Sequence, residues 1–177
     1  NHNAEGFVAG ISSAGVWDFA ISVNTPGWFY GDDIVVDSNG DYVVFAKCDG
    51  DYNDSVDCGG TNGAGRTDVL MKFNSNGVLQ WSDFIDSDNA ANNHLAIDSN
   101  DNLYVASSFS AYVGAGSLAL GNLSLLGPSM DSDVYVAKAD SDGNWEWAAA
   151  AGGTSQCGSP FSQRTFVNGI DVDSDGS

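Results

Sequence analysis

The sequence predicts an all-β fold assembled from repeated four-stranded antiparallel units. Three observations predict it. Two phrases recur along the chain: Gly77-Val78-Leu79-Gln80-Trp81, with copies at 15–19 and 143–147, and Ile34-Val35-Val36-Asp37-Ser38-Asn39-Gly40, with copies at 95–101 and 170–176. Text that returns in this way encodes stacked supersecondary units sharing one continuous core. The segments between turn signals are rich in Val, Ile, Tyr, Phe and Trp, which is the composition of strands. Finally, 22 of the 24 acidic residues are Asp, a turn residue, and only Glu5 and Glu146 are the helix former Glu.

The elements follow in order, with strands expected near 6–11, 16–22, 33–37, 42–47, 68–73, 78–84, 94–98, 103–109, 133–139, 145–150 and 168–172. The first pair is joined through residues 12–15. Residues 74–77 and 140–143 form the same kind of short loop, whose Gly supplies the positive φ that returns the chain. At the equivalent place in residues 98–102 stands Asp101, and Asp tolerates that conformation better than most non-Gly residues. Residues 147–151 look helical, but they align with 81–84 and 19–22 and are assigned to a strand.

Each unit therefore has strands A to D. A carries 34–37 or 95–98, B carries 42–47 or 103–108, and C and D form the hairpin closed at Gly77 or Gly143. The B-to-C connections are long, and the Gly- and Leu-rich text at 113–120 is a candidate for an extra short strand pair. Residues 1–26 read as strands C and D of one unit, 27–89 and 90–165 as two full units, and 166–177 as the start of another. The order CD, ABCD, ABCD, A amounts to about three units, which is expected either of a fragment of a longer array or of rings that close between copies, the end within a hairpin turn favouring the fragment.

With these phrases in place, the chain resembles the SBBP β-propeller repeat family. The likeness rests on the strand-A text of 34–44, its copy at 95–105, the text from Asp133 through Trp147 to Gly153, and the cousin at 68–81. The resemblance implies β-propeller-like repeats with four-stranded antiparallel blades, here about three of them in a partial or open ring, on an exported or cell-surface protein. It implies no catalytic residues. Two departures stand out. Asp68 and Lys72 are four residues apart whereas Asp133 and Lys138 are five apart, which calls for a bulge or a register change. Gly10 stands where the other copies have those lysines.

Composition narrows the function. The formal charge of -19, with five basic residues, repels phosphate backbones and anionic membranes, so nucleic acid is excluded as a partner. No apolar run reaches the ~18 residues a membrane helix needs, so insertion is not expected. Cys48 and Cys58 bracket one polar loop and are read as a local disulfide, leaving Cys157 over. A loop staple points to an oxidising, extracellular or cell-surface setting.

Candidate sites are few. Asp49, Asp51, Asn53 and Asp54 have the alternating oxygen spacing of the front half of a calcium loop, but Asp54 replaces its sixth-place Gly and the late Glu is missing. Ca²⁺ is the one cofactor this composition suits; a solvated, stapled loop is the alternative reading. The Asp-Ser-Asn/Asp-Gly turns are read as tight turns and not as ion sites. Trp17, Trp81, Trp145 and Trp147 recur with the repeat and are expected in the core. Trp28, Tyr30 and Tyr52 fall outside that pattern and are the candidates for stacking on a ligand. Lys72 and Lys138 are expected to pair with Asp37, Asp68, Asp98 or Asp133. No nucleophile elbow, zinc-protease motif or phosphate loop occurs.

The sequence thus predicts a non-catalytic module for structural support or adhesion, recognising a glycan or a protein ligand through its long loops. Two competing expectations are a filament subunit that self-associates through edge strands, and a polysaccharide lyase or hydrolase on a propeller.

Overall fold

The computed structural model describes residues 6–23, 28–49, 67–85, 92–110, 117–126, 132–152 and 165–173. It is all-β: twelve strands form four antiparallel sheets, with no helix among the described residues. The strands are β1 (Gly6–Ile11), β2 (Trp17–Val23), β3 (Trp28–Val36), β4 (Tyr42–Asp49), β5 (Thr67–Phe73), β6 (Leu79–Ile85), β7 (His94–Ile97), β8 (Leu103–Ser110), β9 (Ser117–Leu120), β10 (Leu123–Leu126), β11 (Ser132–Ala139) and β12 (Trp145–Ala151). Two sheets are four-stranded, in the orders β3-β4-β5-β6 and β7-β8-β11-β12, and the hairpins β1-β2 and β9-β10 are two-stranded. The chain divides into two compact units, Asn1–Phe84 and Ile85–Ser177.

Five turns of one design connect the strands. In each, the first residue's carbonyl accepts the N–H of the fourth, and its own N–H donates to the carbonyl of the fifth: Ser12 to Val16, Asp37 to Asp41, Asn74 to Val78, Asp98 to Asn102 and Asp140 to Asn144. The side chain of the first residue completes the turn. Asp37 Oδ1 accepts the N–H groups of Asn39 and Asp41, both at 2.9 Å. Asn74, Asp98 and Asp140 repeat that double bond, and Ser12 Oγ accepts Val16 N–H. This is why Asp, Asn and Ser occupy the position: a short side-chain oxygen satisfies N–H groups that the tight reversal leaves without ladder partners. The fourth residue is left-handed in every copy, with φ of 77° at Gly15, 79° at Gly40, 77° at Gly77, 62° at Asp101 and 85° at Gly143. Asp101 is the non-Gly case, as its tolerance of that region allows.

In the first unit the β1-β2 hairpin packs on the four-stranded sheet. Val8 and Val23, with the partly buried Phe19 and Ile21, form one core cluster with Phe29, Val44, Ala46, Cys48, Val69, Met71 and Phe73. The alternation of each strand sends these residues to one face. At ~0.8 kcal/mol per buried CH₂ group, this cluster is the main source of the unit's stability. The opposite face of β1 is open: Phe7 is 72% and Ile11 57% exposed. In the second unit Tyr135, Ala137, Ala139 and Val105 are almost fully buried, and Phe109 meets Tyr135 edge-on with ring centroids 6.0 Å apart. The short hairpin β9-β10 follows the Gly- and Leu-rich text, with Leu118 and Leu120 buried.

Four expectations need correction. Residues 168–172 form no strand. Among the described residues no strand lies beside them, and a strand exists only as one side of a ladder. The β8-β11 ladder runs from Ser132 to Ala139 without a shift, so no bulge separates Asp133 from Lys138 on that side. Nor does the register change: Tyr42 to Cys48 pair with Phe73 to Thr67 just as Leu103 to Phe109 pair with Ala139 to Asp133, so Asp133 stands at the place of Thr67 and Val134 at that of Asp68. Five residues along a strand reverse the face, so Asp133 is fully buried away from Lys138. Bulges do occur at Gly10/Ile11 and Lys138/Ala139, where β2 and β12 begin. Of the repeat tryptophans, Trp145 is buried and Trp81 partly buried, but Trp17 is 65% and Trp147 41% exposed.

Gly10 now has its reason. A Cβ there would lie 2.5 Å from the Phe19 ring and 2.8 Å from Tyr42 Oη. Phe19 and Tyr42 stack edge to face with centroids 5.0 Å apart, filling the space that a side chain at this position would need.

Candidate binding groove

An open groove of about 560 Å³ runs between β1 and β3 in the first unit. Gly6, Phe7, Val8 and Ala9 of β1 form one wall, Trp17 closes one side, Phe29 and Val44 lie in the floor, and Gly31 to Ile34 form the other wall. The Gly31-Asp32-Asp33 text interrupts the apolar alternation of β3, and the structure answers with a register shift between Gly31 and Asp33 against β4. Asp32 is the extra residue. Such a bulge re-aims a side chain out of the regular pleat. A Cβ on Gly31 would meet nothing within 4 Å, so the wall is lowest at that point.

Charge at the groove is asymmetric. Lys47 Nζ lies 3.1 Å from Asp32 Oδ2, with both side chains partly exposed. Asp33 Oδ1 accepts the N–H of Ile34 at 2.8 Å. Two neighbouring carboxylates, one of them paired with Lys47, thus line the groove beside the exposed rings of Phe7 and Trp17. The groove can pair a basic group at one wall while apolar or ring-shaped matter covers its floor.

The backbone adds a second feature. β5 and β11, which occupy the same place in their hairpins as β1, are each paired on both edges, β5 between β4 and β6 and β11 between β8 and β12. β1 pairs with β2, and among the described residues no strand lies on its other edge. That edge forms the rim of the groove.

The ionic clusters elsewhere hold strands and turns. Lys72 Nζ lies 2.9 Å from Asp37 Oδ2, one of the partners expected for it. Burial opposes the charge of Asp37, but Lys72 and the N–H groups of Asp41 and Asn39 outweigh it and hold the carboxyl below its ordinary range. Lys138 departs from expectation, pairing with Glu146 at 2.8 Å. That hydrogen bond raises the lysine pKa against the effect of burial. Asp98 instead accepts the Asn102 amide at 2.8 Å and the Tyr104 hydroxyl at 3.4 Å. Burial works against its charge too, and the Asn102 contacts prevail and lower its pKa. Asp140 is held low chiefly by the Asn144 side chain and N–H. The turn carboxylates are therefore engaged by the chain's own donors, in line with their reading as turns.

Of the predicted site residues, Tyr30 is 45% exposed and lies opposite Lys47 in the β3-β4 ladder. Trp28 begins β3, with its backbone opposite that of Asp49 at the end of β4. Tyr52, Asp51, Asn53, Asp54, Cys58 and Cys157 lie outside the described residues. Cys48 is fully buried in β4. Among the described residues no group of three or more His, Cys, Asp or Glu side chains is placed to hold a metal ion. Sequence reasoning missed Phe7, Asp32 and Asp33 and assigned Trp17 to the core; a Gly followed by two Asp inside a strand was the available sign of a bulge.

The chain matches no protein-family model, and no curated protein matches it.

Proposed function

We propose that the chain is a non-catalytic structural module of the propeller type, exported or at the cell surface, that accepts an extended polypeptide strand along β1. In this reading the two four-stranded sheets are blades around a common axis, β1-β2 is the outer half of a third, and the text is of the SBBP repeat type. The observation that carries it is the open edge of β1 beside a groove with an apolar floor and an acidic wall. An added strand gains ladder hydrogen bonds from such an edge, and pockets for alternate side chains give selectivity. β4 is the strand that pairs with β5 at the corresponding position, so its own text states the chemistry of the guest: a continuous apolar run, Tyr42 to Ala46, followed by one lysine.

The test is calorimetry with a synthetic peptide of residues 41–48 carrying Ser in place of Cys48. Saturable binding is expected, with none for a scrambled peptide of the same composition. Equal responses to the two peptides, or silence with both, removes the reading.

One observation favours a second reading. Trp17 is 65% exposed and shares the groove with Asp32 and Asp33, a ring platform beside hydroxyl acceptors that suits a neutral glycan. Screening neutral oligosaccharides with the native chain and Trp17→Ala, with and without EDTA, tests it and tests the Ca²⁺ expected at Asp49–Asp54. A screen without hits in either buffer removes the glycan reading.

A further inference from the structure

The hairpins of this chain have two unlike faces, and the first unit shows how they meet. One face of β1-β2, bearing Val8, Phe19, Ile21 and Val23, covers the face of β5 that bears Val69, Met71 and Phe73. Counting back from the shared turn, the residues of β1 equivalent to Val69, Met71 and Phe73 are Phe7, Ala9 and Ile11. Counting forward, the residues of β12 equivalent to Phe19, Ile21 and Val23 are Trp147, Ala149 and Ala151. The receiving face is covered on β5, where Val69, Met71 and Phe73 are at most 5% exposed. On β1 it is open, with Phe7 72% and Ile11 57% exposed. The covering face of β12 is open as well: Trp147 is 41% exposed, and Ala149 and Ala151 are exposed.

We infer that a second copy of this chain docks there, laying the outer face of its β11-β12 hairpin on the outer face of β1-β2. The contact repeats, between copies, the packing that β1-β2 makes on β5 within one copy. The side chains are exchanged in a compensating way. The covering side loses bulk where Ala149 and Ala151 replace Ile21 and Val23, and gains it where Trp147 replaces Phe19. The receiving side gains bulk where Phe7 replaces Val69, and loses it where Ala9 replaces Met71. Ile11 in place of Phe73 also loses bulk, and the loss is made up on β11, where Val134 and Lys138 stand at the places of Gly6 and Gly10; packed apolar layers tolerate changed shape best when total volume is kept. Because the two faces differ, the contact is head-to-tail: each copy keeps one free face of each kind, and growth continues until a ring closes. The formal charge of -19 opposes the association, and salt screens it. This docking uses the outer face of β1 and strand acceptance its open edge, with Phe7 and Ala9 bordering both.

The test is light scattering after size exclusion on the full chain over a range of concentrations and NaCl. The native chain is expected to gain mass with both. Phe7→Asp/Ile11→Asp removes the receiving face and Ala149→Asp the covering face, all at exposed positions; each is expected to weaken association tenfold or more while the far-ultraviolet circular dichroism stays native. An equimolar mixture of the two variants retains one intact face of each kind, so it is expected to give 1:1 dimers and nothing larger. A native chain that stays monomeric at every concentration, variants that associate like the native chain, or a mixture that stays monomeric would each overturn the inference. The peptide test above has a separate readout, so the failure of one leaves the other standing.

Discussion

Asp37 grips Lys72 across 2.9 Å while its other oxygen holds the N–H groups of Asn39 and Asp41. One carboxylate thus closes the β3-β4 turn and neutralises a lysine on β5. The Asp37 side chain is 1% and the Lys72 side chain 12% exposed, so the pair is shielded from water. Asp37→Ala is expected to cost about 3 kcal/mol, since it removes the ion pair of a mostly buried amine and two acceptor bonds. Adding Lys72→Met should recover part of that loss. Urea unfolding of the two single variants and the double variant measures the coupling; strictly additive losses would contradict it.

The pH dependence follows from the same groups. Asp37, Asp98 and Asp140 titrate below their ordinary 3.8, so the folded state takes up their protons less readily than the unfolded chain. Their contribution is complete above that value and disappears as pH falls through the folded values. Lys138 titrates above its ordinary 10.5, held up first by Glu146. Tyr104 titrates above 10.0, chiefly because it is buried. Both contributions are complete below those values and are lost as pH rises through the folded ones. Urea midpoints should therefore be flat from about pH 5 to about pH 9 and fall on either side. Glu146→Gln should diminish the alkaline fall and spare the acid one, and an unchanged alkaline fall in that variant would show the assignment to be wrong.

The left-handed turn residues should differ in their tolerance of Ala. Gly15 and Gly77 share a φ of 77°, and a side chain there costs about 1–2 kcal/mol from backbone sterics alone. A Cβ on Gly15 meets open space, whereas one on Gly77 lies 3.0 Å from Ile21 Cγ2 and 3.2 Å from the Phe19 ring. Gly77→Ala is expected to lose more stability than Gly15→Ala. Thermal melts of the pair decide it, and equal losses would mean that backbone conformation accounts for the whole effect.

Gly10→Lys restores the residue found in the other two copies and should nonetheless destabilise, by about 2 kcal/mol or more, because Phe19 and Tyr42 already fill the site. Combining it with Phe19→Ala and Tyr42→Ala should reduce the penalty of the lysine itself. A Gly10→Lys variant as stable as the native chain would rule out the steric account.

Much of the fold was legible because the turns are encoded locally. An Asp, Asn or Ser followed three places later by Gly announces a reversal, and alternation marks the strands on either side; β11 and β12 were readable from Asp140 and Gly143 alone. Residues 168–172 show the limit of that reading. Their text is as strand-like as that of β7, but a strand needs a partner, and pairing is not a local property. The groove was less legible still. Trp17 sits at a repeat position, so it was assigned to the core with its copies, yet a repeat position is buried only if a neighbouring layer covers it. Asp32 was hidden because a bulge places it, and the partner of Lys138 was missed because Glu146 enters from the adjacent strand β12 and not from a repeat-matched turn.

The turn carboxylates account for part of the acidity of the chain. Asp37, Asp98 and Asp140 each satisfy their own hairpin's N–H groups, so the negative charge is a by-product of tying strands together. In an array built this way, charge grows in step with the number of reversals. Lengthening the array therefore raises its self-repulsion, and the longest arrays are the ones that depend most on dissolved salt to remain folded.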